Sequence, residues 1–266
     1  RWAEIYGPIY RFDLGPRRFV VISDPDVVNE VLRDRPDGFR RWSEILEITE
    51  EMWGSPGVFS AEGDEWRRAR RLAVTALNSN HLQRYFEIVA TCTDRLRRRL
   101  EPAARSGQPI EIGSALSAFT VDVTSALAFG RDLNTLERGD GELQEHLHRV
   151  FHATNRRLLA PVPYWRWVKL PADRELDRSL AALRPAVAGF IAEARRRIAA
   201  RPELREAPEN FLEGMVAAQE NDGTFTDDEI LGNVLTLLLA GEDTTSHTMA
   251  WTLWSLATMP ELQERW

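Results

Sequence analysis

The stretch LLLAGEDTTSHTMAW, residues 237–251, decides the fold that this sequence predicts. It reads as the middle of a buried helix, yet it carries a glycine, two acidic residues and two adjacent threonines. Glycine costs a helix interior about 1 kcal/mol relative to alanine. Threonine is stiff at χ1 and can turn its hydroxyl onto the backbone. Residues that form helices so poorly indicate a role other than folding.

A stripe of small side chains runs along this helix. Thr236, Ala240, Thr244 and Thr248 follow one another at intervals of four residues, which places them on one slowly drifting face. Such a stripe leaves room for something large and flat to lie against the helix. Close packing against a second helix explains the spacing equally well, so spacing alone leaves both interpretations open.

Asp243 and Thr244 place a carboxylate beside a hydroxyl in a segment that we expect to be buried. Burying such groups without partners costs a few kcal/mol, so they should have partners or a chemical task. A Thr244 hydroxyl bonded to the Ala240 carbonyl can loosen the helix and admit a water, which suits proton delivery to a site closed to bulk solvent. Glu242 and His247 are expected to be structural, and no residue is predicted as a metal ligand.

Patterning along the rest of the chain predicts a mainly α fold with a small N-terminal β-sheet. Residues 8–14 and 18–23 form the predicted hairpin, and Asp24 caps a helix that begins at Pro25. Residues 42–60 contain Gly54, Pro56 and Gly57 and are predicted to be an irregular loop. The other predicted helices lie at about 64–78, 81–105, 114–129, 141–159, 173–200, 209–220 and 226–257, the last beginning with a Thr226/Glu229 capping box.

Composition narrows the class of protein. The chain of 266 residues has 34 basic and 41 acidic side chains, a net charge of −7, which argues against a nucleic-acid surface. Cys92 is the only cysteine, so an intramolecular disulfide framework and a cysteine-based metal cluster are excluded. The apolar run at 230–241 is too short to span a membrane and is interrupted by Asn233, so we expect no membrane span.

Trp66 and Arg70 lie four residues apart and therefore share a helix face. An indole N–H and a guanidinium together form a donor pair suited to a carboxylate. A tryptophan packed in the core with an arginine lying along it is at least as common an arrangement.

Several segments together resemble the cytochrome P450 family, the haem-thiolate monooxygenases. AGEDTT (240–245) fits the family's pattern Ala/Gly-Gly-x-Asp/Glu-Thr-Thr, and WRRAR (66–70) fits its Trp-Arg-x-x-Arg helix. Further similar segments occur in the family's order and cover essentially all of the chain: FVVISDP (19–25), GVFSAEGDEW (57–66) and FTVDVTSALAFG (119–130). The resemblance implies a partial cytochrome P450 fold, with residues 1–266 as one partial domain truncated at both ends.

The resemblance also implies a role for individual residues. Trp66 and Arg70 would bind the haem propionates, and Asp243 and Thr244 would form the acid–alcohol pair that hydrogen-bonds dioxygen and relays protons. Two further sets would line the site: Ala240 and Gly241 over the distal face of the haem, and Phe59, Thr236 and Ala240 at the substrate pocket. The connection Pro161–Pro171 resembles the family's mobile lid, with aromatic side chains that could contact an apolar substrate.

One departure from the family matters for the chemistry. The family's proximal cysteine loop and its Glu-x-x-Arg pair have no match in these residues, and Cys92 reads as a buried helical position that does not replace them. Without the thiolate there is no electron push for O–O cleavage. The sequence therefore predicts the distal half of an active site, within a protein whose complete form inserts one oxygen atom from dioxygen into an apolar organic substrate.

The expected cofactor is haem b, with electrons from NAD(P)H passed on by a ferredoxin or a flavoprotein reductase. Arg67, Arg68 and Arg71 form a candidate docking face for such an acidic partner, although a solvated face explains them as well. We expect a cytoplasmic location, and a membrane anchor preceding Arg1 would be compatible with these residues. The alternative function is a truncated, non-catalytic binding or interaction protein without competent haem ligation.

Overall fold

The structure is a computed structural model in which a short β-hairpin precedes a series of helices. It describes residues 2–15, 17–35, 37–54, 56–77, 86–139, 141–223 and 225–264. The hairpin consists of β1 (Ile9–Leu14) and β2 (Arg17–Ile22). The α-helices are α1 (Trp2–Tyr6), α2 (Pro25–Arg33), α3 (Ser43–Trp53), α4 (Gly63–Ala76), α5 (Phe86–Ser106), α6 (Ile112–Phe129), α7 (Thr135–Arg138), α8 (Glu142–Leu159), α9 (Pro171–Ala200), α10 (Phe211–Asp222), α11 (Asp227–Thr258) and α12 (Pro260–Gln263).

The N-terminal hairpin and the helix after it agree with the sequence prediction. The strands are antiparallel, with Phe12 opposite Phe19 and their rings stacked 5.0 Å apart. Asp24 then caps α2, because its carboxylate accepts hydrogen bonds from the backbone N–H groups of Asp26 and Val27, both at 3.0 Å. The capping side chain and the proline in the first turn together set where the helix begins.

The prediction that residues 42–60 form an irregular loop is wrong for its first half. Helix α3 occupies Ser43–Trp53 and buries Ile48 and Met52, which lie four residues apart on one helix face. The turn-forming residues only end this helix: Gly54 follows it with a φ of 81°, a conformation that glycine adopts without a steric penalty. Helical periodicity in residues 43–53 outweighs the breakers that follow.

Helix α11 is the longest described helix, with 32 residues, and it begins at the predicted capping box. Thr226 Oγ1 accepts from the Glu229 N–H at 3.2 Å, and the Glu229 carboxylate accepts from the Thr226 N–H at 2.8 Å. The first half of α11 is in the hydrophobic core, whereas its second half is largely exposed, including Trp251 and Trp254. An exposed half of a central helix offers a surface on which a cofactor or another segment can lie.

Helix α6 packs along α11. It is the one helix in the described part of the chain that is long and apolar enough to cross a membrane, with 18 residues and a mean hydropathy of 1.4, but 67% of it is buried inside the fold. The two helices approach closely at Gly241, where an added Cβ would lie 2.5 Å from Thr124 Oγ1 and 2.7 Å from Thr124 Cγ2. The absence of a side chain at Gly241 therefore has a direct packing cause.

Candidate active site

An apolar cavity of about 260 Å³ lies beside the middle of α11, where residues between Gly232 and Thr244 line it. It brings together the three side chains predicted to border a substrate pocket, Phe59, Thr236 and Ala240, and adds Thr244. The remaining wall comes from α3 and α8 and is mostly apolar, including Ile45, Phe151 and Leu158. The cavity thus combines an aliphatic and aromatic lining with the hydroxyl group of Thr244, as small-molecule sites do.

The segment that carries Phe59 is fixed on α11 by a close backbone approach. A Cβ at Gly57 would lie 2.2 Å from both the Gly232 carbonyl oxygen and Thr236 Oγ1, so only glycine fits there. The adjacent Val58 N–H donates to Asn233 Oδ1 at 2.9 Å. These contacts hold the segment before α4 against α11 and position Phe59 at the cavity, although its side chain remains 55% exposed.

Thr244 makes the hydrogen bond that the sequence predicts, since its Oγ1 donates to the Ala240 carbonyl at 2.6 Å. The expected loosening of the helix is absent, because α11 is α-helical throughout Asp227–Thr258. Thr236 and Thr248 make the same bond at 2.8 and 2.7 Å, so it is a shared property of the threonines on this stripe. The expected burial is also wrong: Thr244 is exposed although it lines the cavity, which leaves its hydroxyl open to solvent.

Asp243 lies next to a polar cavity of about 370 Å³ between α6, α8 and α11. It is half-buried, not deeply buried as expected. Its backbone carbonyl accepts from Ser246 Oγ at 3.1 Å and contacts His247 Nδ1 at 2.7 Å. Asp243 and Thr244 are neighbours in the chain, about 100° apart around α11, and line two different cavities, both of which α8 borders.

The two residues expected to be structural have local partners. Glu242 is 5% exposed, and its carboxylate accepts a hydrogen bond from Ser117 Oγ of α6 at 3.2 Å. His247 contacts the Asp243 carbonyl of its own helix through Nδ1. These contacts agree with structural roles for both residues. Asp243, which directly precedes Thr244, is therefore the acidic residue of this segment that we retain as the candidate partner of Thr244.

The small residues of this part of α11 do not all have the same explanation. Gly241, which lies beside the stripe, is small because Thr124 packs against it, which is the helix-packing explanation. Ala240, Thr244 and Thr248 are exposed, so packing against another helix of the described chain does not explain them. The role of Ala240 and Gly241 over the distal face of a haem stays a prediction, and Ala240 has the better position for it because it lines the apolar cavity.

Trp66 and Arg70 occupy one face of α4, as their spacing predicts. The Arg70 guanidinium carbon lies 5.5 Å from the Trp66 ring centre, a cation–π contact. Trp66 is half-buried and Arg70 is exposed, and within the described residues Arg70 makes no ion pair. The guanidinium is therefore available to bind an anionic group.

Three other arginines of α4, which form the predicted docking face, are less available than the sequence suggests. Arg67 pairs with Asp64 at 2.7 Å and with Asp37 at 2.8 Å, and Arg68 pairs with Glu229 at 2.9 Å. Arg71 is exposed. Neighbouring carboxylates thus already neutralise much of the positive charge of the predicted docking face.

The connection Pro161–Pro171, predicted to resemble a mobile lid, is bound to α3. Trp165 is buried, and its Nε1 donates to the Glu51 carboxylate at 2.8 Å. Arg166 Nη2 donates to Glu47 at 2.9 Å. The lining of the apolar cavity extends to Leu158 and includes none of residues 161–171, all of which are described. A contact between these aromatic side chains and substrate therefore stays a prediction.

Cys92 lies inside the fold, as the sequence predicts. It is 3% exposed on α5 and packs in a hydrophobic cluster with Leu96 and Leu116. Burial, followed by the negative charge of Asp122, raises the pKa of the Cys92 thiol to about 11. A buried, protonated thiol is a poor metal ligand and nucleophile, so Cys92 does not supply the thiolate of a haem site.

We expect Cys92 to be nearly inert toward thiol reagents in the folded protein at pH 8. The pKa of about 11, against an ordinary value of 9.0, lowers the thiolate fraction by roughly a hundredfold, and burial slows the reaction further. The measurement is the rate of alkylation by iodoacetamide, with the unfolded chain as the control. A native rate close to the unfolded rate would contradict this assignment.

Comparisons with known proteins concern the chain as a whole. The family model described as Cytochrome P450 matches residues 1–266. Carotene epsilon-monooxygenase, a chloroplastic protein of Arabidopsis thaliana, is 28% identical over 97% of this chain and 49% of its own length. Thromboxane-A synthase of Rattus norvegicus is 26% identical over 98% of this chain and 55% of its own length.

The fold similarity is also clear among solved structures. The crystal structure of the cytochrome P450DA heme domain superposes with a TM-score of 0.76 at 21% identity, covering 99% of this chain and 56% of that chain. The chain spans about half the length of the curated relatives it matches. Because the family model matches every residue from 1 to 266, the chain belongs to the cytochrome P450 family.

Proposed function

We propose that the protein acts as a haem-dependent monooxygenase that inserts one oxygen atom from dioxygen into an apolar organic substrate, with residues 1–266 as one partial domain of the family. The observation that carries this proposal is the apolar cavity along α11, because it joins Phe59, Thr236 and Ala240 to the exposed hydroxyl of Thr244. The aliphatic and aromatic lining favours a substrate of low polarity.

The described residues fit one face of a haem b group. The exposed small side chains of α11 leave room for a flat macrocycle, and the Arg70 guanidinium with the Trp66 indole suits its propionate carboxylates. Cys92 is buried and protonated, so it would not supply a thiolate ligand to the haem. When bound, haem supplies the activation of dioxygen that the reaction requires.

Asp243 and Thr244 are the proposed proton-delivery pair. Thr244 lines the apolar cavity, where its hydroxyl, which donates to the Ala240 carbonyl, can accept a hydrogen bond, and Asp243 lines the neighbouring polar cavity. The polar cavity gives Asp243 access to water, while the lining on the Thr244 side is mainly apolar. In this role Asp243 takes up protons from water, and the adjacent Thr244 passes them on toward the apolar cavity.

The electron source proposed from the family is NAD(P)H, acting through a ferredoxin or flavoprotein reductase. Arg67, Arg68 and Arg71 remain the proposed docking face, although ion pairs partly neutralise Arg67 and Arg68. Because these charges are exposed, salt should weaken their attraction to an acidic partner. A cytoplasmic location is likewise a proposal. Two relatives carry names that place those proteins in the chloroplast.

The proposed reaction is tested by isotope labelling. The haem-loaded protein is given isotopically labelled dioxygen, a reductase system and a panel of apolar substrates, and the products are analysed by mass spectrometry. We expect one labelled oxygen atom per product molecule. A protein that binds the substrates but incorporates label into none of them would instead be the non-catalytic binding protein.

We expect Arg70→Ala to weaken haem retention without changing which substrates bind. Loss of a guanidinium–carboxylate contact typically costs about 1.5–3 kcal/mol, so the haem dissociation constant should rise by about tenfold or more. The measurement is haem transfer to an acceptor protein, followed by absorbance. Arg71→Ala, on the same helix and exposed, is the matched control. Equal haem retention in Arg70→Ala and wild type would return Arg70 to a structural role.

A further inference from the structure

Two exposed histidines on α8 converge at their ring nitrogens. His148 and His152 are one helix turn apart, and their Nε2 atoms lie 2.8 Å from each other. Their rings meet edge to face with centres 4.3 Å apart. In the metal-free chain this distance is a hydrogen bond in which one Nε2–H donates to the other, unprotonated Nε2.

The nitrogen spacing is the one that a chelated transition metal requires. Two nitrogens bound at a right angle, with metal–nitrogen distances of about 2.0–2.1 Å, lie about 2.9 Å apart, whereas a tetrahedral angle separates them by about 3.3–3.4 Å. The observed 2.8 Å matches the right-angled arrangement. The pair therefore fits a square-planar or octahedral ion. Only a small rotation of the two rings would be needed for both Nε2 atoms to face a metal ion in place of each other.

The surroundings of the pair allow a cation to approach. Two arginines close to the pair in the chain already have acidic partners: Arg149 pairs with Glu145 at 2.7 Å, and Arg156 pairs with Asp173 at 3.0 Å. His148 also lines the polar cavity that contains the carboxylates of Glu145 and Asp243, which adds negative charge on that side. No group of three or more metal-binding side chains occurs among the described residues, so water would complete the coordination.

We propose that His148 and His152 form a chelating site for a divalent transition metal, with Cu²⁺ bound most tightly and Ni²⁺ next. Imidazole nitrogen suits these ions, and divalent affinity rises from Ni²⁺ to Cu²⁺. Hard ions such as Mg²⁺ and Ca²⁺ prefer oxygen and are excluded. Both Nε2 atoms must be unprotonated to bind the ion, so the proton on the donating imidazole moves to its Nδ1. The site is separate from the apolar cavity and does not depend on the proposed oxygenase function.

The test is calorimetric titration of the untagged full chain with CuCl₂. We expect one bound ion per chain, and an affinity at least about tenfold lower in both His148→Gln and His152→Gln, because each leaves only one imidazole. His146→Gln is the matched control: His146 lies on the same helix, but its Nδ1 contacts Ser179 Oγ at 3.1 Å. Circular dichroism checks that every variant retains its helix content.

Electron paramagnetic resonance of bound Cu²⁺ provides a second measurement, with two imidazole nitrogens expected in the wild type and one in His152→Gln. Wild-type affinity in either variant of the pair would overturn the proposal. An equal loss of affinity in His146→Gln would also overturn it. A loss confined to His247→Gln would place the ion in the polar cavity and would likewise overturn the chelate assignment.

Discussion

Thr244→Ala in the haem-loaded protein is expected to preserve haem binding and to uncouple electron consumption from product formation. Thr236 and Thr244 are the two threonines of the α11 stripe that line the apolar cavity, and Thr244 is the one that follows Asp243. Removing a positioned proton donor typically costs a factor of about 10² or more in the step it serves. We therefore expect at least about a tenfold fall in product per electron, with the missing electrons recovered as peroxide. The measurement is parallel quantification of NAD(P)H consumed, product and peroxide.

The chain provides a matched control for this variant. Thr248 is also exposed and also donates to the carbonyl four residues earlier, at 2.7 Å, but it does not line the apolar cavity. Thr248→Ala removes the same kind of helix hydrogen bond and should leave coupling close to wild type. Coupling that stays intact in Thr244→Ala, or that falls equally in both variants, would remove Thr244 from the proton-delivery pair.

Gly241→Ala is expected to destabilise the fold, although alanine forms helices better than glycine. Its Cβ would lie 2.5 Å from Thr124 Oγ1 and 2.7 Å from Thr124 Cγ2, and rotating this β-branched side chain exchanges one clash for another. Overpacking costs about 1–3 kcal/mol, against a gain of about 1 kcal/mol in helix propensity. We expect a net loss of roughly 1–2 kcal/mol in the free energy of unfolding, measured by urea denaturation.

Gly189 is the control for this effect. It lies in the interior of α9 and is exposed, and a Cβ added there would meet no atom within 4 Å beyond the backbone of its own helix. Gly189→Ala should therefore stabilise the protein by up to about 1 kcal/mol. The opposite signs separate packing from helix propensity. Adding Thr124→Ala to Gly241→Ala removes both clashing atoms and should restore part of the lost stability, whereas a stabilised Gly241→Ala single variant would show that α6 and α11 do not pack as described.

Much of the fold follows from the sequence because local signals agree with one another. The capping box at Thr226, the Asp24 cap and the helical periodicity of α4 to α6 and of α8 to α11 predict elements close to the observed ones, with the predicted boundaries at 78 and 81 outside the described residues. The sequence pattern does not predict the short helix α7. The sequence prediction misses helix α3 because the breakers Gly54 and Pro56 outweigh the helical spacing of Ile48 and Met52 in the pattern. Strong turn residues mark where an element ends, but they carry no information about what precedes them.

The candidate site is predictable in its members and less so in its arrangement. Phe59, Thr236 and Ala240 meet at one cavity as expected. That Asp243 and Thr244 line two different cavities, and that Gly241 is required by Thr124 of α6, depends on contacts between residues far apart in the chain. The His148/His152 pair has a visible spacing of four residues, but only side-chain conformation shows that the nitrogens converge.

The measurement that tests the central claim most directly is the absorption spectrum of the protein, isolated from its own cells, after reduction and exposure to carbon monoxide. The account predicts the strongly red-shifted Soret band of a thiolate-ligated haem, and the same band after Cys92→Ser, because the buried thiol of Cys92 is not the ligand. A protein that never shows this band would contradict the oxygenase assignment, and a band that disappears in Cys92→Ser would contradict the assignment of Cys92.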